Sequence, residues 1–240
     1  MPVYCITGAN RGLGLEFVRQ LAQSPDNTVI ATTRLLSSDL GDLQAVASPS
    51  TRILQCDTGS VPSIHSFVKS AAQVLGGGVK IDFVLNVAGV NPAPMQSSLT
   101  LGPDDLQVQV AVNVIGPAKV VELLLDAGLL SQDVRVLNMT SSLGSMERSS
   151  QMKPRKCAGY SISKAALNML TVHQSGDLKE RLPGAVVISM DPGWVKTRMG
   201  GEGAMLEPSD SIGGMLRVLH GLSSEDTGSC YDYSGEKIPW

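Results

Sequence analysis

Short runs of β-branched and other apolar residues alternate along this chain with longer stretches whose apolar positions recur three and four residues apart. The first period marks strands and the second amphipathic helices. Strands are expected near Val3 to Thr7, Thr28 to Thr33, Arg52 to Cys56, Phe83 to Asn86, Val134 to Thr140, Ala185 to Met190 and Ser229 to Tyr233. Helices are expected to start near Gly12, Asp39, Ser60, Asp104, Tyr160 and Ser209. Apolar strands separated by helical segments predict an α/β fold: a doubly wound parallel sheet of about seven strands, with helices on both faces.

No internal repeat, low-complexity tract or long linker interrupts the alternation, so residues 1–240 are read as one domain. Gly76 to Gly78 reads as a helix-ending turn, because another buried-type strand follows within a few residues. Trp194 to Pro208 carries Gly200, Gly201 and Gly203 between a strand end and a helix. It is read as a substrate lid, against an ordinary surface connection.

Composition narrows the class. A hydrophobic share of 42% with 17% charged residues belongs to a globular chain, not a disordered one. The net charge of -3 leaves no basic footprint for a nucleic acid, and Lys153, Arg155 and Lys156 read as a solvated loop. Cys5, Cys56, Cys157 and Cys230 form no CxxC pair, and no histidine stands at ligand spacing from them. No metal site is expected, and reduced thiols point to the cytoplasm. MPVYCITG runs straight into a strand and turn, without a secretory leader, and no apolar run of roughly 18 residues predicts a membrane span.

TGANRGLG, residues 7–14, follows the first strand and opens the first helix, the context that a Rossmann-type dinucleotide turn requires. Gly8 can make the sharp turn, Gly12 can let the backbone approach a pyrophosphate, and Gly14 can let the helix pack closely. The spacing is Gly-x-x-x-Gly-x-Gly, with Asn10, Arg11 and Leu13 between the glycines. The second strand ends Thr32, Thr33, Arg34, without the acid that would grip a free ribose hydroxyl. Arg34 and Arg11 favour the 2′-phosphate of NADP(H) over NAD(H).

Tyr160 and Lys164 stand four residues apart in YSISK, on one helix face. A phenol ordinarily ionises near pH 10, so its use as an acid/base calls for a neighbouring cation. Asn86 to Gly89 reads NVAG at the end of a buried strand; the small Ala88 and Gly89 leave space for a cofactor ring, or simply pack. Asp57, with Thr58 after it, either accepts from an adenine amino group or starts a turn. Pro117 has no N–H for the carbonyl of Asn113, so that carbonyl is free for a water if one long helix continues there; a helix ending before Pro117 is the alternative. Ser141 and Ser142 close the fifth strand at the sheet edge where α/β ligands bind. In DPGWVKT, Pro192 and Gly193 turn the chain, and Val195 with Thr197 is placed to hold a nicotinamide carboxamide.

These motifs occur in the order seen in short-chain dehydrogenases/reductases, and the chain resembles that family over nearly its whole length. Within it, NRGLG, DPGWVKTRMGG and the ending YDYSGEKIPW look most like sniffer-type carbonyl reductases and C-factor-like proteins. The resemblance implies Tyr160 as acid/base, Lys164 on the nicotinamide ribose and lowering the phenol pKa, Ser142 orienting the carbonyl and Asn113 holding a relay water. It also implies a homodimer or homotetramer built on the long central helices. Two departures stand out: Val87 replaces the second Asn of Asn-Asn-Ala-Gly, and the interval from Ser142 to Tyr160 is long, with Met146 to Lys156 inserted beside the expected substrate cleft.

The expected activity is NADPH-dependent reduction of an aldehyde or ketone, or the reverse reaction on a secondary alcohol. A cofactor-binding regulatory or signalling protein with little reductase activity is the alternative. A nucleotide-sugar epimerase-like reading suffers from the lack of a second substrate domain. Trp194, Met146, Met199 and Met205 point to an apolar, adaptable cleft.

Overall fold

In the computed structural model, which describes residues 1–153 and 156–240, seven strands form one parallel sheet. They are β1 (Val3–Ile6), β2 (Thr28–Thr33), β3 (Thr51–Gln55), β4 (Ile81–Asn86), β5 (Leu130–Met139), β6 (Val186–Asp191) and β7 (Cys230–Asp232). The order is β3-β2-β1-β4-β5-β6-β7, and every neighbouring pair is parallel, as the alternation predicts. The helices are α1 (Gly12–Leu21), α2 (Gly41–Val46), α3 (Val61–Leu75), α4 (Pro103–Val110), α5 (Gly116–Asp126), α6 (Met146–Gln151), α7 (Ala158–Arg181) and α8 (Pro208–Gly221). Arg155 of the basic cluster lies outside the described residues.

Alternate strand residues face opposite sides, so the sheet builds two cores. Tyr4 and Ile6 of β1 pack with Phe17 and Leu21 of α1 and with Ile212 and Met215 of α8. Val3 and Cys5 pack with Ile64 and Phe67 of α3 and with Val120 and Leu124 of α5. Fully burying Phe17 and Phe67 contributes about 2 kcal/mol each, enough to fix which face each helix covers.

Two elements differ from the sequence expectation for physical reasons. β5 begins at Leu130, before the expected Val134, through a polar stretch, Ser131 to Asp133, that lies within a register shift against β4. α6 buries no residue and therefore carries no apolar stripe to betray it.

Pro103 to Asp126 runs as one helical stretch, with a wide π turn at Ala111–Ile115 joining α4 to α5. The Gly116 N–H reaches back five residues to the Ala111 carbonyl, which accommodates Pro117 and its missing donor. The long helix with an internal defect is therefore the form adopted. By length and composition alone this stretch could cross a membrane. Its apolar residues Val120, Val121 and Leu124 instead fill the second core, so it serves as a core helix of the layered fold.

β1 pairs with β2 on one side and β4 on the other, so the winding reverses between β1 and β4. That reversal opens a crevice at the carboxyl ends of the strands.

Candidate active site

At the crevice, β1 turns out through Gly8, whose φ of +71° is the left-handed region; a Cβ there would lie 2.9 Å from the Ala88 Cα. A Cβ on Gly14 would overlap the Gly8 carbonyl. Only hydrogen fits either place, so the turn and the start of α1 nest closely. Arg11 stands at the helix N-cap in extended conformation with no side-chain cap. The first-turn N–H groups around Gly12 and Leu13, with half-buried Asn10 before them, therefore remain available to an anion.

Thr7, which the sequence reading passed over, ties this turn to the next strand. Its hydroxyl oxygen accepts from the N–H groups of Val87 and Ala88 at 3.0 and 3.1 Å, fixing NVAG against β1. Asn86 donates to Asn138 at 2.9 Å, while its own Oδ1 is buried without a partner among the described residues. Arg34 and Arg11 are exposed, and neither forms an ion pair among the described residues. Asp57 accepts from the Gly59 N–H at 3.0 Å, the geometry of a turn starter. Thr58 is buried where a Cβ on Gly116 would approach its carbonyl at 2.7 Å.

Asn113, in the π turn, is fully buried. Its side chain accepts from the Val90 N–H at 2.8 Å and donates to the Val90 carbonyl and to Ser163 Oγ, both at 3.0 Å. It thus pins the segment after β4 to α7. A Cβ on Gly89 would stand 3.4 Å from Asn113 Oδ1 and 3.7 Å from Lys164 Nζ, so these residues meet at one point.

The buried side of α7 is unusually polar, with Ser163, Lys164, Asn168, Thr171 and Gln174 facing inward. Each finds a partner: Asn138 donates to Thr171 and Gln174, and Thr140 donates to Asn168. Lys164, 3% exposed, donates to the Met139 carbonyl at 2.6 Å and holds its ammonium 5.4 Å from the centre of the Tyr160 ring. The half-buried Tyr160 hydroxyl has no hydrogen-bond partner among the described residues.

Burial, then the Asp191 carboxylate and Cys157, push the Tyr160 phenol above its ordinary value. Burial lowers the Lys164 ammonium to about 7, with Asp191 opposing the drop. In the free protein burial therefore outweighs the lowering of the phenol expected from Lys164, and Tyr160 carries its proton at neutral pH.

The two serines after β5 differ in what they touch. The Ser141 hydroxyl accepts from the Leu143 N–H at 3.2 Å, a turn contact. The Ser142 hydroxyl donates to Asp191 Oδ2 and accepts from the Arg148 guanidinium at 3.1 Å. Neither Asp191 nor Arg148 is singled out by the sequence. An acid closing a buried strand at the carboxyl edge is a usable signal for Asp191; for Arg148 there is only its place in the inserted segment.

Beyond Asp191, the Pro192 carbonyl accepts from Ser211 at 2.7 Å and Gly193 turns with φ of +78°. Val195 is buried and bridges to Leu206. The Thr197 methyl lies 3.7 Å from where a Gly12 Cβ would stand, bringing this loop onto the glycine turn. Residues 194–208 form a self-bonded loop: Trp194 Nε1 donates to the Gly200 carbonyl at 2.8 Å, and Lys196 pairs with Glu207. Trp194, Met199 and Met205 are exposed on it, as is Met146 on α6.

A glycine-shaped crevice with free backbone donors, beside a phenol and an ammonium on one helix face, defines a dinucleotide-dependent oxidoreductase. The short chain dehydrogenase family model matches residues 2–204, and the chain belongs to that family. It is 38% identical over 136 residues to C-signal of Myxococcus xanthus, covering 57% of this chain and 79% of that protein. NADPH-bound carbonyl reductase from chicken fatty liver superposes over the full length of both chains with a TM-score of 0.90 at 30% identity. Carbonyl reductase Sniffer of D. melanogaster does so with the same TM-score at 26% identity.

Proposed function

We propose that the protein is an NADPH-dependent carbonyl reductase acting on aldehydes or ketones of apolar character, with Tyr160 as its acid/base. The observation that carries this reading is the Tyr160 hydroxyl at the sheet edge, without a hydrogen-bond partner among the described residues, and the buried Lys164 Nζ 5.4 Å from the centre of its ring. The crevice fits a nicotinamide dinucleotide, since its glycines leave room for close approach and the N–H groups of α1 await an anion. Gly8, Asn10, Arg11, Gly12, Leu13 and Gly14 would hold the pyrophosphate side, and Asp57 and Thr58 the adenine. Asn86, Ala88, Gly89, Pro192, Gly193, Val195 and Thr197 would hold the nicotinamide half. Arg34 and Arg11, unpaired and exposed, suit a 2′-phosphate, and the chicken reductase was solved with NADPH.

A nicotinamide dinucleotide held there would supply the hydride for the carbonyl carbon. Tyr160 would donate its phenolic proton to the carbonyl oxygen, with Ser142 orienting that oxygen. Lys164 would hold the ribose hydroxyls and bring its charge beside the phenol as that group loses its proton. The Asn113 carbonyl, which Pro117 deprives of its donor four residues on, would hold the water that returns the proton. Trp194, Met146, Met199 and Met205 line the substrate side with apolar, adaptable surface.

The regulatory reading is not favoured, because Tyr160, Lys164, Ser142 and Asn113 are all present. Exposed Val108, Ile115, Ile162, Met169 and Val172 on the central helices offer a face for a homodimer or homotetramer. The four cysteines are unpaired, which suits a reducing cytoplasm. The test is a panel of aldehydes and ketones followed by NADPH and NADH absorbance. Turnover of several apolar carbonyls with NADPH preferred is expected; tight NADPH binding with no turnover across the panel would reject the reading.

A further inference from the structure

The face that α7 turns to the sheet is built for more than apolar packing. Of its eight buried residues only Leu167 and Leu178 have large apolar side chains, whereas Ser163, Lys164, Asn168, Thr171 and Gln174 are polar. Apolar contact is non-directional and would let a long helix settle at several heights along a strand. Hydrogen bonds fix distance and angle, and here they form two teeth on β5 and the residue after it. Asn138, fully buried, donates to Thr171 Oγ1 at 3.0 Å and to Gln174 Oε1 at 2.9 Å, straddling one turn of the helix. Two residues further along, Thr140 donates to Asn168 Oδ1 at 2.6 Å, and Asn168 donates to the Gly144 carbonyl at 3.2 Å.

The spacings of strand and helix agree. From Asn138 to Thr140 the strand advances about 6.6 Å. From the midpoint of Thr171 and Gln174 back to Asn168 the helix rises about 6.8 Å, so both teeth engage at one setting. A slip of one residue, about 1.5 Å, would break both and leave buried polar groups unpaired. Asn138 cannot follow the helix, because its carbonyl oxygen accepts from Asn86 of β4 at 2.9 Å. One turn beyond Asn168 stands Lys164, and one turn beyond that stands Tyr160. Resting on the carbonyl-reductase reading above, we propose that Asn138, Thr171 and Gln174 are positioning residues that set the register of α7, and with it the height of Lys164 and Tyr160 at the sheet edge. They act through the helix, since Thr171 lies eleven residues past Tyr160, about 16 Å along the axis.

A network that only stabilises the core would show the same bonds, and kinetics separate the two. Thr171→Val combined with Gln174→Leu removes both acceptors on the helix and leaves Asn138 bonded to Asn86. With rates taken per mole of NADPH-binding protein, this double variant should lose about 10–100-fold in kcat, as a displacement of about 1 Å does. NADPH affinity should be largely kept, because most of the proposed cofactor contacts lie outside α7. Thr171→Ser, which retains the acceptor, should turn over near the wild-type rate. Thr171→Val alone is the milder cut should the double variant fail to fold, and it should lower kcat by about threefold or more. A lower melting temperature with unchanged kcat per NADPH-binding protein in the Val variants would overturn the proposal, as would equal losses in Thr171→Ser and Thr171→Val. Tyr160→Phe is the reference: if it stays active the carbonyl-reductase reading itself fails, whereas an inactive Tyr160→Phe beside unimpaired Val variants removes only the register role.

Discussion

The two halves of the carboxyl edge are built from different materials. Around β1 and β4 the crevice is made of backbone: Gly8 and Gly14 nest where no Cβ fits, and Thr7 fastens NVAG through two main-chain N–H groups. Around β5, β6 and α7 it is made of side chains far apart in sequence, Ser142, Arg148, Asp191, Tyr160 and Lys164. The backbone half can be altered only by changing shape. The side-chain half can exchange charge and donors while the fold stays intact, and it is there that the proposed function puts substrate selection and proton transfer.

The largest effect should come from breaking the backbone half. Gly14→Ala gains about 1 kcal/mol of helix propensity but forces a methyl into the Gly8 carbonyl, for a net loss of about 3 kcal/mol and of cofactor binding. Thermal melting with and without NADPH measures both, and an unchanged melt would break the contrast. Thr7→Val removes the acceptor for two main-chain N–H groups and should cost about 2 kcal/mol by denaturant unfolding, without any change of cofactor preference. Arg34→Asp should instead leave the melt alone and lower the NADPH-to-NADH preference by about tenfold or more, read from the two KM values.

Asp191→Asn sharpens the comparison most finely, because it alters charge without altering shape. Asp191 raises both the phenol and the ammonium, so removing its charge moves both downward. The alkaline limb of the reductive pH–rate profile, where Tyr160 loses its proton, should shift to lower pH. A limb that stays put would mean that Asp191 does not act on Tyr160.

The same division governs what can be read from the sequence. Strands buried on both faces give continuous apolar runs, so six of seven lay within about two residues of expectation at their start. The glycine turn was legible because its conformation demands residues without Cβ. Asn113 was legible through Pro117, a covalent absence of N–H that any helix must accommodate. Arg148 was not, since it sits on a short helix with no buried residue, and Asp191 left only the signal of an acid closing a buried strand. Their meeting over Ser142 exists only once β5, α6 and β6 are assembled. The electrostatics were hidden for the same reason, since the burial that lowers Lys164 to about 7 belongs to the packed sheet edge.

The central claim is that a protonated phenol at the crevice delivers the proton that completes carbonyl reduction. Steady-state turnover of Tyr160→Phe, with its NADPH affinity measured in parallel, tests it most directly. The account predicts unchanged NADPH binding with kcat reduced by about 10³-fold or more, whereas turnover close to wild type with the cofactor bound would contradict it.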